Sequence, residues 1–387
     1  MVDPEKLDQR LQTEGQNALV TIPVSTGANV VVGELNGQMV KNMEAKEAIL
    51  EIRTENVSYT LPASEINIDA ISESMGSNVQ LSDIKVNVQI AEPTADTTRI
   101  VEDTANKNNY QIVVKPVEFS ITCTYGEKTV EVSKFNGYVE RLVAIPEGID
   151  PSKITTGIVL NSDGAFSHVP PQIIIIDGKY YAKINSLTNS TYSVIWSPKT
   201  FKDVEKHWAK DAVNDMASRL VMSGAGVDTF APDGTISRAE FTDVLVKALG
   251  LMRPGTGKDV FSDVPKGSMY YDAVSIAYEN GLISGYGNSK FGPNDKITRE
   301  QAMTMVAKAI NITGLKVEFS SGEVEKLLTG FGDADKSAAY AKDSIASCIK
   351  AGIASGRNGK LLAPKDNITR AEVAVIVRSL LQKSGLI

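Results

Sequence analysis

The sequence predicts a multidomain protein with an all-β, sandwich-like N-terminal half and an all-α C-terminal half. The C-terminal half is expected to hold three helix-loop-helix repeats packed with pseudo-threefold symmetry. Three observations predict this architecture. The chain has 387 residues, enough for several domains. Apolar and polar residues alternate in short runs up to residue 198, and a pattern of two amphipathic helices then recurs three times.

Composition and charge narrow the class of protein. Hydrophobic residues make up 42% and charged residues 22% of the chain, which indicates a folded protein. No window has the roughly 18 apolar residues that a transmembrane helix needs, so no membrane insertion is expected. The start Met1–Lys6 lacks the apolar core of a signal peptide, so we expect any export signal to be removed or to lie upstream. The net charge of −7 argues against nucleic-acid binding, while a net charge of +3 over residues 199–387 would tolerate an anionic partner.

The N-terminal half is divided by its patterning into a segment at residues 1–16 and a β-rich region at 17–198. The region is expected to form one or two sandwich-like modules, with a division considered at the polar stretch near 92–116. Alternation around Glu55-Asn56 predicts a hairpin, and residues 62–76 suit one short helix. The run Ile173–Ile176 before Asp177-Gly178 predicts a second hairpin, whose first strand is expected to be covered on both faces. Cys123 and Cys348 are expected to be buried and unpaired.

Three repeats follow, at residues 199–256, 257–318 and 319–387. In every copy, 13 residues separate an Asp from a mid-repeat Gly and 14 more separate that Gly from an Arg. Such constant spacing indicates one structural unit used three times. The matched residues are Asp211, Asp272 and Asp343, then Gly224, Gly285 and Gly356, then Arg238, Arg299 and Arg370.

Both helices of each repeat can be placed from local physics. An apolar stripe at helical spacing precedes each mid-repeat Gly, and a second stripe follows each Arg. The second helix opens with a capping box in every copy, in which a hydroxyl and a side chain three residues later satisfy free backbone groups. The pairs are Ser237 with Glu240, Thr298 with Gln301, and Thr369 with Glu372.

The repeats resemble S-layer homology modules, three in tandem. The resemblance rests on the openings Phe201-Lys202-Asp203-Val204 and Phe261-Ser262-Asp263-Val264, on the Ser-Gly pair before each loop, and on the signatures Ile236–Glu240, Ile297–Gln301 and Ile368–Glu372. Phe331-Gly332-Asp333-Ala334 is the divergent opening of repeat 3. The N-terminal half is similar, more weakly, to the β-rich segments that accompany such modules in Gram-positive surface proteins.

This resemblance implies noncovalent anchoring to the peptidoglycan-linked envelope of a Gram-positive cell. The partner it implies is an anionic secondary cell-wall polysaccharide, often a pyruvylated glycan, bound in grooves between modules. The location it implies is extracellular, in the cell wall or S-layer. An Arg matches the planar carboxylate of a pyruvate ketal with two donors. The expected polysaccharide-binding residues are Arg238, Arg299, Arg370, Gly224, Gly285, Gly356, Trp208, Tyr271, Tyr286, Asp203 and Asp263.

Structural alternatives stay open for these residues. Each Arg could instead tie its loop to Asp203, Asp263 or Asp333, and each mid-repeat Gly could be a left-handed helix cap. The aromatic residues could pack in the core instead of stacking on sugar rings. Arg357 stands in repeat 3 where the other copies have Ala225 and Tyr286, so the groove of that repeat is expected to be altered or unused.

Catalytic and metal-binding patterns are weak. Asp233 to Glu240 imitates half of an EF-hand loop, but Thr229 and Ala231 occupy its first acidic positions. No Ser-His-Asp set, His cluster or phosphate-binding Gly loop is visible, so no cofactor and no metal are expected and the protein is not expected to be an enzyme. Two alternatives remain: a glycan-processing enzyme with its active site in the β-rich half, and a structural protein of an S-layer lattice.

Overall fold

The computed structural model describes residues 2–76 and 78–387. The chain forms two compact units, one built mainly from the residues up to Trp196 and one from Ser197–Ile387. Short segments at Asn161–Asp163 and Ser167–Pro170 belong to the second unit. The β-rich first half and the helical second half agree with the fold class expected from the sequence.

The strands of the first half form two sheets. In chain order they are β1 (Leu19–Pro23), β2 (Val30–Asn36), β3 (Ile49–Arg53), β4 (Val57–Pro62), β5 (Lys85–Ala91), β6 (Gln111–Tyr125), β7 (Lys128–Glu131), β8 (Lys134–Ala144), β9 (Thr156–Leu160), β10 (Phe166–Val169), β11 (Pro171–Ile176), β12 (Lys179–Thr188) and β13 (Thr191–Trp196). One sheet has six strands in the order β1-β3-β4-β8-β12-β11. The other has seven, in the order β10-β9-β13-β6-β5-β2, with β7 paired to β6.

In the core between the sheets, aromatic side chains pack around one buried arginine. Arg141 on β8 is fully buried, and its guanidinium lies 5.0 Å from the ring centre of Tyr59 and 4.8 Å from that of Tyr192. Phe119 on β6 packs edge-on against Tyr59 at 5.1 Å. Arg141 donates to the carbonyl oxygens of Val139 and Thr188 at 2.9 and 2.7 Å. These bonds offset part of the cost of burying a cation.

Both hairpins expected from the sequence are present, but one strand is not covered as predicted. Ile176 pairs with Lys179 across the turn Asp177-Gly178, and both turn residues have left-handed φ values of 50° and 80°. The strand β11 lies at the edge of its sheet, and Ile175 is 60% exposed. The expectation that this strand is covered on both faces was wrong, because an unbroken apolar run does not distinguish a central strand from an edge strand.

Helices also contribute to the first half. They are α1 (Pro4–Glu14), α2 (Gly37–Glu44), α3 (Ile68–Met75) and α4 (Ala95–Lys107). The helix α3 lies within the short helical segment expected at 62–76. The helix α4 occupies the polar stretch where a division was considered, and β5 and β6 on either side of it pair with each other from Lys85 opposite Thr124 to Ala91 opposite Glu118.

The second half is helical. Its helices are α5 (Lys210–Ser218), α6 (Arg238–Ala248), α7 (Tyr271–Glu279), α8 (Arg299–Thr313), α9 (Glu323–Leu328), α10 (Lys342–Lys350) and α11 (Arg370–Lys383). The second helices of the repeats, α6, α8 and α11, begin at the predicted arginines and pack against one another. Reciprocal capping boxes form in repeats 2 and 3. In repeat 1, Ser237 accepts the N–H of Glu240, while the Glu240 carboxylate binds Arg370.

The repeats close on one another in a cycle. The first helix of a repeat packs on the second helix of the preceding repeat, so α7 packs on α6 and α10 packs on α8. The first helix of repeat 1, α5, packs on α11 of repeat 3 and completes the cycle. Arg378 on α11 pairs with Asp215 on α5 at 2.8 Å. This cyclic order gives the approximate threefold symmetry that the repeat pattern predicted.

Candidate functional site

The three signature arginines lie at the junctions between repeats. Each is the first residue of a second helix, and each backbone N–H donates to a carbonyl in the loop of the next repeat in the cycle. These bonds run from Arg238 to Asp295, from Arg299 to Asp366 and from Arg370 to Gly234, at 2.8, 2.9 and 2.9 Å. The side chains follow the same direction and are buried. Each arginine therefore connects two neighbouring repeats.

The arginine side chains donate mainly to backbone carbonyls, including that of the Ser in the next repeat's Ser-Gly pair. The bonds are Arg238 to Ser284 at 2.7 Å, Arg299 to Ser355 at 3.4 Å and to Leu362 at 2.8 Å, and Arg370 to Ser223 at 2.5 Å and to Phe230 at 2.9 Å. The structural alternative was that each Arg ties its loop to an acidic neighbour such as Asp203, Asp263 or Asp333, but those three aspartates accept backbone N–H groups instead. The arginines do connect segments, but across repeat boundaries.

The opening aspartates bind their own loops. Asp203 accepts the N–H groups of Phe230 and Ala231, and Asp263 and Asp333 accept the equivalent pairs in repeats 2 and 3. Burial acts to raise the pKa of Asp263, but the N–H groups of Gly292 and Phe291 outweigh it, so the pKa lies below its usual value. A charged Asp at this position fixes the loop that faces the neighbouring repeat's arginine.

The mid-repeat glycines are required by close packing, not by a left-handed cap. A Cβ on Gly285 would lie 2.6 Å from the ring of Phe261 and 2.5 Å from the carbonyl oxygen of Lys290, and Gly224 and Gly356 are equally crowded. The predicted left-handed cap lies four residues earlier in each repeat. The residues there are Leu220, Gly281 and Gly352, with φ values of 62°, 68° and 66°. The repeat pattern did not reveal this cap position, because repeat 1 has a leucine there instead of a glycine.

The candidate aromatic residues differ in exposure. Trp208 is 65% exposed and Tyr286 is 54% exposed. Tyr271 is buried and donates its hydroxyl to Asp259 at 2.8 Å, so its expected place in a sugar-binding surface is replaced by a packing role. Tyr340, at the position equivalent to Trp208, is exposed and lies 3.4 Å from the Glu300 carboxylate.

The charges of the three arginines are balanced differently. Arg370 pairs with Glu240, and Arg299 pairs with Glu372 at 2.8 Å. The equivalent third position, opposite Arg238, is Gln301, whose side chain accepts the N–H of Thr298. Within the described residues, Arg238 has no carboxylate within salt-bridge distance, and its Nε is buried without a hydrogen-bond partner.

Aromatic rings surround Arg238 instead. Its guanidinium lies 4.7 Å from the ring centre of Tyr286 and 4.8 Å from that of Phe291. Burial lowers the pKa of Arg238 from its usual value, and Tyr286, Asp295 and Tyr340 act in the opposite direction. An arginine remains protonated under such a shift. The junction between repeats 1 and 2 thus holds a buried cation without a paired acid.

The junction at Arg299 is filled by a second arginine. Arg357, at the position equivalent to Tyr286, donates to Glu372 at 2.8 Å and to Asp366 at 2.6 Å. Burial acts to raise the pKa of Glu372, but bonds from Arg357 and from the Thr369 N–H, with the charge of Arg299, hold it below its usual value. This junction is neutralised by the protein's own side chains.

Sequence reasoning missed two features of this site. The carbonyl acceptors of the arginines leave no signature in side-chain identity. The buried Glu300, which accepts from Lys365 at 2.5 Å and from the N–H of Ala338 at 3.0 Å, stands where the other repeats have alanine. Comparing Ile297–Gln301 with the other two signatures would have marked both Glu300 and Gln301 as departures.

The S-layer homology domain family matches this chain at residues 200–242, 260–303 and 330–374. These domains bind cell-wall polymers and place proteins at the cell surface. None of the helices in the described residues has the length and apolar character needed to cross a membrane. The three matched segments contain the arginine junctions described above.

Curated relatives include enzymes and surface-layer proteins. The chain is 29% identical over 334 residues to an amylopullulanase of Thermoanaerobacterium thermosulfurigenes, covering 86% of this chain and 16% of the relative. It is 35% identical to the exoglucanase XynX of Acetivibrio thermocellus, covering 51% of this chain and 18% of the relative. It is 34% identical to the surface-layer 125 kDa protein of Lysinibacillus sphaericus, covering 44% of this chain and 14% of the relative.

These relatives correct one expectation. The chain spans less than a fifth of the length of each of the three. Two of them are named as enzymes, which overturns the expectation that the protein is not an enzyme. The absence of a recognisable catalytic motif in the sequence did not support that conclusion.

Proposed function

Because residues 200–374 hold three S-layer homology domains, we propose that the helical half anchors the protein noncovalently to an anionic secondary cell-wall polysaccharide, in particular a pyruvylated one. The binding surface consists of the junctions between repeats, where Arg238, Arg299 and Arg370 lie with the crowded glycines and the exposed aromatic residues. Asp203 and Asp263 hold the loops of these junctions in place by accepting backbone N–H groups.

The observation that carries this proposal is that the buried Arg238 has no carboxylate within salt-bridge distance among the described residues. A buried cation without a carboxylate costs free energy, and an anionic ligand that reaches it recovers part of that cost. Tyr286 and Tyr340, both more than half exposed, interact with the Arg238 charge and mark the open side of the junction. A ligand carboxylate enters on that side.

The chemistry of a pyruvate ketal suits this junction. Its carboxylate is planar and charged, and a guanidinium can meet such a group with two donors. The N-terminus of α6 adds a favourable potential for an anion. The ring faces of Tyr286 and Tyr340 provide apolar surface for a sugar next to the carboxylate.

The other two junctions are proposed to bind an anion more weakly. Glu240 and Glu372 already occupy the position of a ligand carboxylate at Arg370 and Arg299. A ligand there must displace an acid that is covalently part of the protein. The junction between repeats 1 and 2 is therefore the principal anion site in this proposal.

Replacing Gln301 by glutamate tests the proposal without removing an arginine. Gln301→Glu places at Arg238 the acid that the other two junctions carry, and glutamate suits the capping box equally well. We expect affinity for the pyruvylated polysaccharide to fall more than tenfold, about 1.4 kcal/mol, with little change in melting temperature. Calorimetric titration and thermal unfolding of the full chain measure both quantities.

Glu240→Gln is the matched control, because it frees Arg370 of its acid by the same change of one atom. It should leave binding at Arg238 intact and should not weaken affinity. The same glycan without its pyruvate should bind wild type as weakly as the intact glycan binds Gln301→Glu. Equal affinity of wild type and Gln301→Glu for the intact glycan contradicts the role of Arg238.

A second candidate function is glycan processing by the β-rich half. The similarity to an amylopullulanase covers 86% of the chain, so it extends well beyond the repeats. A cleft of ≈ 1040 Å³ in this half is lined by Glu55, Glu92 and Glu102, with Val31 and Ile90 among its apolar lining residues. Exposed carboxylates in a cleft of this size provide the residue type that glycoside hydrolysis uses.

Product analysis after incubation with starch, cellulose and xylan tests this second candidate. We expect reducing ends to accumulate with one substrate and to disappear in the triple variant Glu55→Gln, Glu92→Gln, Glu102→Gln. Activity that survives in the triple variant excludes any catalytic pair drawn from these three carboxylates.

A further inference from the structure

The edge strand β11 presents an apolar surface that the described chain leaves uncovered. It pairs only with β12, and its sequence from Pro171 to Ile176 carries no charge. Ile175 is 60% exposed, Ile176 is 41% exposed, and Tyr180 beside them on β12 is 41% exposed. Natural sheets usually blunt such an edge with charges, bulges or covering segments, so this edge has the properties of an interaction surface.

The hairpin turn fixes which backbone groups face outward. Ile176 and Lys179 flank a two-residue turn, so they exchange hydrogen bonds, and the bonded pairs then alternate along the two strands. The N–H and C=O groups of Ile173 and Ile175 are consequently directed away from β12. These four groups are the ones that an added strand can engage.

We propose that β11 pairs antiparallel with β11 of a second copy of this chain, joining two six-stranded sheets into one. In the pairing that matches the outward groups, Ile173 of one copy opposes Ile175 of the other, and Ile174 lies opposite itself on the twofold axis. Four backbone hydrogen bonds form. The contact is isologous, the commonest arrangement in homodimers.

The sequence of β11 suits antiparallel pairing with a second copy of itself. Every isoleucine in this pairing meets an uncharged side chain, so no like charges oppose each other and no ion is desolvated. Pro171 falls opposite Asp177 of the second copy, at the point where the pairing ends. Because proline has no N–H, ending the ladder there leaves no donor unpaired at that residue.

The contact is expected to be reversible. A pair of six-residue strands buries less than the roughly 1,200 Å² of a stable protein interface. The dimer should therefore depend on concentration and should form readily where many copies are held close together, as on a surface.

The oligomeric state of the full chain tests the proposal. We expect the sedimentation mass of wild type to rise toward twice that of the chain with increasing concentration. Ile175→Lys should remain monomeric at every concentration, since a charge at an exposed edge position opposes pairing without disturbing the core. Val227→Lys, at a 96% exposed loop residue of the helical half, is the matched control and should behave as wild type. A monomeric wild type, or an Ile175→Lys variant that dimerises as wild type does, overturns the proposal.

A cysteine on the proposed axis tests the register. Residues opposite each other in a non-hydrogen-bonded antiparallel pair have Cα atoms about 4.5 Å apart, which suits a disulfide. Ile174→Cys should give a covalent dimer under mild oxidation, and the dimer should disappear on adding Ile175→Lys. The native thiols of Cys123 and Cys348 are buried and should not compete. Dimeric Ile174→Cys protein that forms no cross-link overturns the proposed register.

Discussion

Arg238, Arg299 and Arg370 occupy equivalent positions, yet one neighbouring residue decides how each is balanced. Glu240 pairs with Arg370 and Glu372 pairs with Arg299. The uncharged Gln301 stands at the equivalent position for Arg238, which therefore has no acidic partner of this kind. The difference between Glu and Gln is one atom, but it separates an internal ion pair from a candidate anion site. At the residue scale, the repeats have the same fold and different electrostatics.

Gly285 gives a prediction at this scale. Gly285→Ala would force a Cβ to 2.5 Å from the Lys290 carbonyl and 2.6 Å from Phe261, so we expect a loss of about 1–3 kcal/mol in the free energy of unfolding. Gly27→Ala is the control, because a Cβ there meets no atom within 4 Å and the backbone angle is not left-handed. Urea denaturation measures both. Equal stability of the two variants would show that the Phe261 ring and the Lys290 backbone both move aside without cost.

The second helices are the elements most readily predicted from sequence. A hydroxyl cap, a partner three residues later and a long apolar stripe all indicate the same starting residue, and α6, α8 and α11 begin there. Other elements carried weaker signals. The helix α4 buries only Val101 and Ala105, so its sequence is polar enough to be taken for a linker. Whether β11 is central or at an edge depends on sheet order, which local alternation does not encode.

The candidate site was predicted in part for the same reason. Repeat spacing brought the arginines, aspartates and glycines to equivalent positions. Their partners are backbone carbonyls and N–H groups of other segments, such as the Ser284 carbonyl bound by Arg238, and the identity of a residue says nothing about its backbone. Tyr271 was expected to be available for a ligand, because the sequence pattern does not reveal the hydrogen bond that its hydroxyl donates to Asp259 in the folded protein.

Capping gives a prediction at the element scale. Thr298 accepts the Gln301 N–H at 3.3 Å, and the Gln301 side chain accepts the Thr298 N–H at 3.0 Å. Thr298→Ala removes the hydroxyl that satisfies the first turn of α8, so we expect a loss of about 1 kcal/mol. Thr304→Ala, in the same helix, should be neutral or slightly stabilising, because its hydroxyl only bonds back to Glu300. The comparison is made by thermal or urea unfolding, and an equal loss in both variants would argue against the cap.

The cyclic packing of the repeats is a property of the whole helical unit. In a linear stack each repeat contacts only its neighbours, and the stack has two end repeats. Here α5 of repeat 1 depends on α11 of repeat 3, so the unit has no end repeat.

Deleting repeat 3 tests this dependence. A chain that stops at residue 318 lacks α11, which leaves the apolar side of α5 uncovered and α8 without α10. We expect the helical unit to lose its cooperative unfolding transition, as measured by calorimetry and by the helical circular dichroism signal. The control keeps all three repeats and carries Val227→Lys. A truncated chain that retains a sharp transition would indicate that the repeats are stable in pairs.

The contact between the first and last helices also has a mechanical meaning. A pulling force on an anchoring unit is transmitted through the chain segment that enters it. Here that segment leads into α5 after Ser197. The helix α5 is held by α11, the most distant helix of the unit in sequence, through packing and the 2.8 Å pair of Arg378 with Asp215. Tension at the entry point therefore acts on the contact of α5 with α11, and not on an end repeat of a stack. Because that contact closes the cycle, we expect the three repeats to resist a pulling force together.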